Sequence, residues 1–226
     1  DVGQGDCFVA DTKSGAIIFD GGSSSEDQVG RYRILPYMKY LGYQKIQIAV
    51  ISHMDIDHYS GIKELLEMGK IKYLGLPEIP KDETMKKIIG IAKKRGTTIF
   101  YLSRGRQITT KDGSLKVLHP QKNSQMEKNA ASLVMQGKIL GYRVLLTGDV
   151  EKEGEEELLS EELERADILK AAHHGSKNST SNEFLQKVQP KQTVISCGKQ
   201  NRYGHPHLET IHRLQTYHTK IYRTDR

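Results

Sequence analysis

Ser52-His53-Met54-Asp55-Ile56-Asp57-His58 places two imidazoles and two carboxylates within six positions, and the residues on either side say where in a fold it belongs. Lys45 to Ile51 (K-I-Q-I-A-V-I) is a β-branched run that reads as a buried strand, while Gly61 to Met68 carries Ile62, Leu65 and Leu66 at helical spacing. The cluster is therefore expected on a strand-to-helix loop. Open α/β sheets present binding groups there, at the carboxyl ends of strands.

Working outward, Cys7 to Ala10 and Ala16 to Phe19 read as a hairpin around Asp11 to Gly15, and the second strand delivers Asp20 into Gly21-Gly22. Ile34 to Leu41 is a short amphipathic helix, Ile71 to Leu74 a strand, and Glu83 to Arg95 a helix closed by Gly96. From Thr98 to Thr147 the spacing predicts an antiparallel meander: Thr98 to Leu102, Gln107 to Thr110, Leu115 to Leu118, Ser132 to Gln136 and Tyr142 to Thr147. It ends at Gly148-Asp149. An acidic helix over Glu151 to Glu164 leads to a strand at Asp167 to Lys170 and then to His173-His174-Gly175-Ser176. Asn182 to Val188 reads as a helix, Gln192 to Cys197 as a strand, and Asn201 to His207 as a loop opening a helix with Leu208, Ile211 and Leu214 inward. Lys220 to Tyr222 is the last strand. Such an order suits one α/β domain of two packed sheets covered by helices.

Composition sets modest bounds. A chain of 226 residues, 36% hydrophobic and 27% charged, is long enough to bury a core. No window approaches the ~18 to 20 apolar residues of a membrane span, and no signal-peptide pattern opens the chain, so a soluble domain is expected. Cys7 and Cys197 lie in apolar segments and read as buried small hydrophobes, not as a disulfide or thiolate site. The net charge of +6 leans toward anionic partners, and the eight glutamates of Glu151 to Glu164 leave the remaining surface more basic still. Clusters such as Lys86-Lys87, Lys93-Lys94-Arg95 and Arg104/Arg106 are equally read as solvated surface.

The chemistry lies in what the strand ends share. Asp20, the His53 to His58 cluster, Asp149, His173/His174 and His205 all follow apolar strands or open helices. Each alone is as readily a turn, cap or hydrogen-bonded residue. Together, imidazoles and carboxylates attract divalent cations, and a metal pair bridged by Asp149 would activate water for hydrolysis.

H-x-D-x-D-H, the downstream T-G-D and H-H-G-S, and the preceding D-G-G resemble the metallo-β-lactamase superfamily of metal-dependent hydrolases. D-V-G-Q-G-D, P-Y-x-K-Y-L-G, L-L-T-G-D, L-K-x-x-H-H-G-S, N-R-Y-G-H-P-H and R-T-D extend the likeness, which is to the soluble hydrolase-like domain of ComEC-type DNA-internalisation competence proteins. The resemblance implies an αββα sandwich, two mixed sheets flanked by helices, with 1–226 as a single such domain. It also implies residue roles. His53 and Asp55 would hold one metal, Asp57 and His58 the other with His173, and Asp149 would bridge them. Asp57 doubles as general base, Asp20 orients the first cluster, and His174 and Ser176 face the substrate.

Two departures from the superfamily pattern matter. Asp55 replaces a histidine, and Asn129-Ala130-Ala131-Ser132 stands where another histidine is usual; the sole histidine between the motif and T-G-D is His119. Oxygen donors in place of nitrogen favour harder ions, so Mn²⁺ is expected ahead of Zn²⁺ or Mg²⁺, with a weaker first site. Asn129 then becomes a substrate-binding candidate.

The expected activity is that of a phosphodiesterase, a nuclease degrading one DNA strand during uptake. Tyr203, His205 and His207 would contact phosphate or protonate the leaving oxygen, unless His205 merely starts a helix. Lys177, Lys199 and Arg202 would position the DNA backbone without reading bases. A small phosphoester or ester hydrolase, and a noncatalytic DNA-binding or assembly module, are the alternatives. On the resemblance, the chain begins inside a loop of a longer protein whose channel portion sits in the bacterial cytoplasmic membrane, and the excised domain is expected to be monomeric.

Overall fold

The computed structural model describes residues 1–126, 128–161 and 163–226. The hairpin forms as β1 (Phe8–Thr12) and β2 (Gly15–Phe19), and three strands add to it in parallel: β3 (Ile46–Val50), β4 (Ile71–Pro77) and β5 (Thr98–Leu102). Each parallel pairing needs a crossover, and the three crossovers carry α1 (Leu35–Tyr40), α2 (Ile56–Glu67) and α3 (Glu83–Lys94) in turn. The second sheet begins as an antiparallel meander of β6 (Gln107–Thr110), β7 (Gly113–His119), β8 (Val134–Ile139) and β9 (Tyr142–Leu146). It continues in parallel through β10 (Ile168–Lys170), β11 (Gln192–Ile195) and β12 (Lys220–Arg223), linked by α4 (Lys152–Leu159), α5 (Asn182–Val188) and α6 (Leu208–Thr216).

The alternation of side chains along β2 shows how the layers are made. Ile17 and Phe19 enter the core between the sheets with Leu115, Leu133 and Met135, whereas Ala16 and Ile18 enter a second core under the helices with Ile62, Leu65 and Met85. A third cluster, including Leu145, Leu169, Phe184 and Leu214, seals the other sheet to its own helices. The result is the four-layer αββα sandwich of mixed sheets that the motifs imply. Cys7 is half-buried, Cys197 is buried, and both are free.

Three elements differ from the sequence reading. Thr98 to Leu102 is not part of the meander: it pairs in parallel with β4 after the α3 crossover, and the chain changes sheets only beyond it. Arg104 anchors that change, reaching Glu157 at 2.7 Å and Glu161 at 2.8 Å, so this arginine is an internal partner of the acidic run and not solvated surface. The acidic helix stops at Leu159, where the Ser160 hydroxyl donates to the Glu157 carbonyl at 2.7 Å; Glu162, within the expected helix, lies outside the described residues. Finally, α2 starts at Ile56 and not near Gly61, so Asp57 and His58 sit in its first turn while His53 stays on the loop.

Gly22 lets two backbones meet beside that turn. A Cβ there would lie 2.6 Å from the Asp57 carbonyl carbon and 2.6 Å from the His58 nitrogen, atoms that cannot move aside. Gly22→Ala is expected to cost about 1–3 kcal/mol in urea unfolding, as overpacked sites do. An unchanged midpoint would show that α2 can shift freely, contrary to this packing.

Candidate metal centre

Parallel strands place their carboxyl ends on one edge, and β2, β3, β9 and β10 deliver Asp20, His53, Asp149 and His173/His174 to it, with α2 adding Asp57 and His58. Asp20 adopts φ 56°, which turns its carboxylate back beneath the loop. There it accepts from the Ser52 backbone N–H at 2.7 Å, the Ser52 hydroxyl at 2.8 Å and His58 Nδ1 at 2.9 Å. The Ser52 hydroxyl in turn lies 3.0 Å from His53 Nδ1. His174 Nδ1 meets the Ser196 carbonyl at 2.8 Å and must donate to it. Each ring is thus held from its Nδ1 side, and its Nε2 is turned inward, as in histidines prepared for a metal.

The inward atoms test whether cations fit. Nε2 of His53, His58 and His174 is buried and has no hydrogen-bond partner among the described residues. Ligand atoms of His53, His58 and Asp149 lie within 4.8 Å of one another, and so do those of Asp57, His58 and His174. Asp149 Oδ2 stands at the meeting point, 3.2 Å from His58 Nε2 and 3.4 Å from His174 Nε2. Asp57 Oδ2 is 3.3 Å from His174 Nε2, and the half-exposed Asp55 is 3.7 Å from His53 Nε2 at the rim. The set is chemically suited to divalent cations, with three carboxylates and three imidazoles facing one space.

Behind the rings lies a pair that sequence reading missed. Lys170 is fully buried, its Nζ 2.5 Å from the Gly148 carbonyl and 3.2 Å from Asp149 Oδ1, and it is also paired with Asp6. Asp6 Oδ1 is 3.4 Å from His174 Nδ1. Two other groupings, Asp6 with Asp20 and His58 and Asp6 with Asp149 and His174, fall on this back side, where the ammonium already sits between the carboxylates. The sequence did carry signals. Lys170 interrupts an apolar strand, and Asp6 follows two glycines in G-Q-G-D.

Several assignments change. His174, expected to face the substrate, is the one whose ligand atom joins those of Asp57 and His58, where His173 was expected. His173 is a quarter exposed, its Nδ1 held by Glu151 Oε1 at 2.8 Å and its Nε2 3.9 Å from Asp149. Both adopt positive φ, 47° and 52°, so the chain coils tightly and only the second ring points to the interior. Ser176 does not face outward: it is buried, and its Oγ accepts from the Asn178 N–H at 3.3 Å. Lys177 opens onto a 730 Å³ cleft beside Glu151, Glu155 and Arg213. Asn129 lies in a 3₁₀ turn with its Oδ1 buried and without a partner among the described residues. His119 is structural, its Nε2 2.6 Å from the Ala130 carbonyl. His205 is nearly buried, its ring 5.3 Å from that of His173 and 5.7 Å from that of Tyr203, which stacks under Arg202.

Burial and charge pull these groups in opposite directions. Burial raises the Asp6 carboxyl, but Lys170 and His174 bring it down to about 2. Burial opposes charge on His174, yet Asp149 and Asp6 hold its imidazolium up to about 10, and Asp149 and Asp20 likewise raise His58. Burial and the neighbouring histidines push His205 down to about 4.

The fold and this centre define a metallo-β-lactamase-type domain, and the profile of the metallo-β-lactamase superfamily matches residues 1–199. The chain belongs to that superfamily. Within it, the ComEC-type resemblance is borne out by similarity over the whole of this chain to two relatives. ComE operon protein 3 of Bacillus subtilis (strain 168) is 37% identical over 244 residues, covering 100% of this chain and 31% of the relative. Competence protein ComA of Neisseria gonorrhoeae is 29% identical over 235 residues, covering 100% of this chain and 30% of that one. The chain thus spans less than a third of their length. Among solved structures, the metallo-β-lactamase fold protein YhfI from Bacillus subtilis superposes with a TM-score of 0.63 at 13% identity, over 97% of this chain and 88% of that one, a likeness of fold.

Two outcomes follow from the centre. In metal-free protein the raised His58 and His174 stabilise the fold fully below their ordinary pKa of 6.5, and the His174 contribution fades as pH climbs through about 10. A cation must displace those protons, so calorimetry of Mn²⁺ binding near pH 7 should record proton release and weaker affinity at lower pH. Binding with no proton release would contradict the arrangement. Lys170→Met removes the ammonium between Asp6 and Asp149, leaving only the imidazoles of His58 and His174 to offset them, and should cost about 3–5 kcal/mol in chelator, the range for breaking a buried pair. Stability equal to the parent chain would show that Lys170 does not hold them.

Proposed function

We propose that this domain is a metal-dependent phosphodiesterase, most specifically a nuclease that degrades a DNA strand during uptake. The observation that carries the reading is the convergence of three unpartnered Nε2 atoms and the Asp149 and Asp57 carboxylates on one opening. His53, His58 and Asp149, with Asp55 at the rim, would hold one cation; Asp57, His58 or Asp149, and His174 would hold the other. The carboxylate share favours Mn²⁺, with Zn²⁺ and Mg²⁺ as weaker fits. When bound, such cations supply Lewis acidity to a phosphoryl oxygen and make water acidic near neutral pH.

The rest falls to the chain. Asp57 is partly exposed in the first turn of α2, where its carboxylate can take the proton of attacking water. His205, neutral at pH 7, serves as a hydrogen-bonding group toward a phosphate oxygen and not as a strong acid. Arg202 and Lys199 border a 250 Å³ cleft with Tyr203 and would neutralise the DNA backbone without base specificity. The Neisseria gonorrhoeae relative is named a competence protein, which motivates DNA as the partner. Their greater length leaves room for a membrane channel portion on the same polypeptide; among the described residues no helix is long and apolar enough to cross a membrane.

Purified protein with Mn²⁺ should degrade DNA. Asp57→Ala and Asp149→Asn should each lower the rate by about 100-fold or more, the scale expected for losing a proton-handling or ligating group, with an unchanged circular dichroism spectrum. Intact DNA after incubation with metal-loaded protein that still cleaves a small phosphoester would move the substrate class to small molecules.

A further inference from the structure

Residues 30–45 read G-R-Y-R-I-L-P-Y-M-K-Y-L-G-Y-Q-K, with four cations, four tyrosines and no carboxylate. The metal centre uses none of them. The segment coils as a π-turn over Gly30–Ile34 and continues as α1 (Leu35–Tyr40), burying Ile34 and Met38 in the core beneath the helices. With that side fixed, three of the four tyrosines are thrown outward: Tyr40 is 84% exposed, Tyr32 62% and Tyr37 49%. Single exposed aromatics need no explanation, but three on one short rigid element form a patch that does.

The patch has chemistry and position. The Tyr37 and Tyr40 rings are 6.4 Å apart with planes 20° from parallel, so they offer similarly oriented faces. Arg31, Arg33 and Lys39 are exposed around them; Arg33 is tied to Glu26 at 3.2 Å, and Arg31 and Lys39 have no ion-pair partner among the described residues. The π-turn rests on α2 at Gly61, where a Cβ would lie 2.9 Å from Val29 and Ile34 side-chain atoms, one helical turn beyond His58. On the other side, Ser24 and Ser25, just before the turn, line the cleft that holds Lys199, Arg202 and Tyr203. Arg33 and Tyr37 line a 180 Å³ hollow with Ser196, the residue that anchors His174. Arg33 and Tyr37 thus line the Ser196 hollow directly, and the chain runs from the cleft of Lys199, Arg202 and Tyr203 to the patch past Glu26, the partner of Arg33.

Aromatic faces interleaved with cations suit an unpaired strand, whose bases are free to stack while its phosphates meet the cations; a duplex hides its base faces and can use only the charges. We propose that Tyr32, Tyr37 and Tyr40, with Arg31 and Lys39, form a stacking platform that holds single-stranded DNA leading into the metal centre. This rests on DNA being the substrate. Because the buried side of the element is locked, the platform is ordered before the strand arrives, which lowers the entropic cost of binding.

Fluorescence anisotropy in chelator, where nothing is cleaved, separates binding from catalysis. The variant Tyr32→Ala/Tyr37→Ala/Tyr40→Ala should bind oligo-dT about tenfold or more weakly than the parent chain, from the loss of base stacking. The corresponding triple Phe variant should restore binding, because stacking needs the ring and not the hydroxyl. Affinity for a duplex and hydrolysis of bis(p-nitrophenyl) phosphate with Mn²⁺ should not change in either variant. Equal oligo-dT affinity in the Ala variant overturns the platform. So does tyrosine-dependent binding to phosphatidylglycerol vesicles with oligonucleotide binding intact, which would make the patch a lipid-facing surface. DNA cleavage without tyrosine dependence refutes the platform alone; tyrosine-dependent binding without any cleavage refutes the nuclease reading alone.

Discussion

Five carboxylates gathered around one ammonium is the constraint on which the rest of the structure depends. Asp6, Asp20 and Asp149 are buried, Asp55 and Asp57 partly so, and Lys170 supplies the single fixed positive charge between Asp6 and Asp149. Four negative charges remain in a region where water is scarce. Uncompensated charge there would be prohibitively costly, so either imidazoles take up protons or cations enter. The front of the rings favours cations. With Nδ1 of His53, His58 and His174 already engaged by Ser52, Asp20 and the Ser196 carbonyl, the Nε2 atoms are the free donors, and they face the Asp149 Oδ2 that Lys170 leaves open.

The αββα layering is what makes that concentration of charge possible. Strands of both sheets end along one edge, so residues more than 110 positions apart in sequence, such as His58 and His174, meet with ring centroids 5.4 Å apart. Hydrophobic side chains on both faces of strands such as β2 lock the strand ends in place. Close backbone approaches at Gly22 and Gly61 then bring the hairpin and the π-turn against α2. The same contacts that hold Asp57 and His58 thus fix the tyrosine-bearing element beside them.

Strand-end logic made much of this legible. Asp20, His53, Asp57, His58 and Asp149 were found because each follows or closely trails an apolar run. Asp6 escaped the same logic for a topological reason: it precedes β1, and because β1 runs antiparallel to β2 its amino end reaches the edge where the other strands have their carboxyl ends. Lys170 escaped because a lysine in a short strand is ordinarily read as exposed. The choice between His173 and His174 depends on two consecutive left-handed residues, which a repeated residue type cannot reveal. The misplacement of β5 has a similar origin, since strand propensity does not say which sheet a strand joins; the α3 crossover does.

Anomalous scattering from crystals soaked in Mn²⁺ tests the central claim most directly. Two peaks are predicted in front of the imidazoles, both bordering Asp149 Oδ2, one toward His53 and one toward Asp57 and His174. Density confined to the space between Asp6 and Asp20, or no bound cation at the Nε2 atoms, would contradict the account.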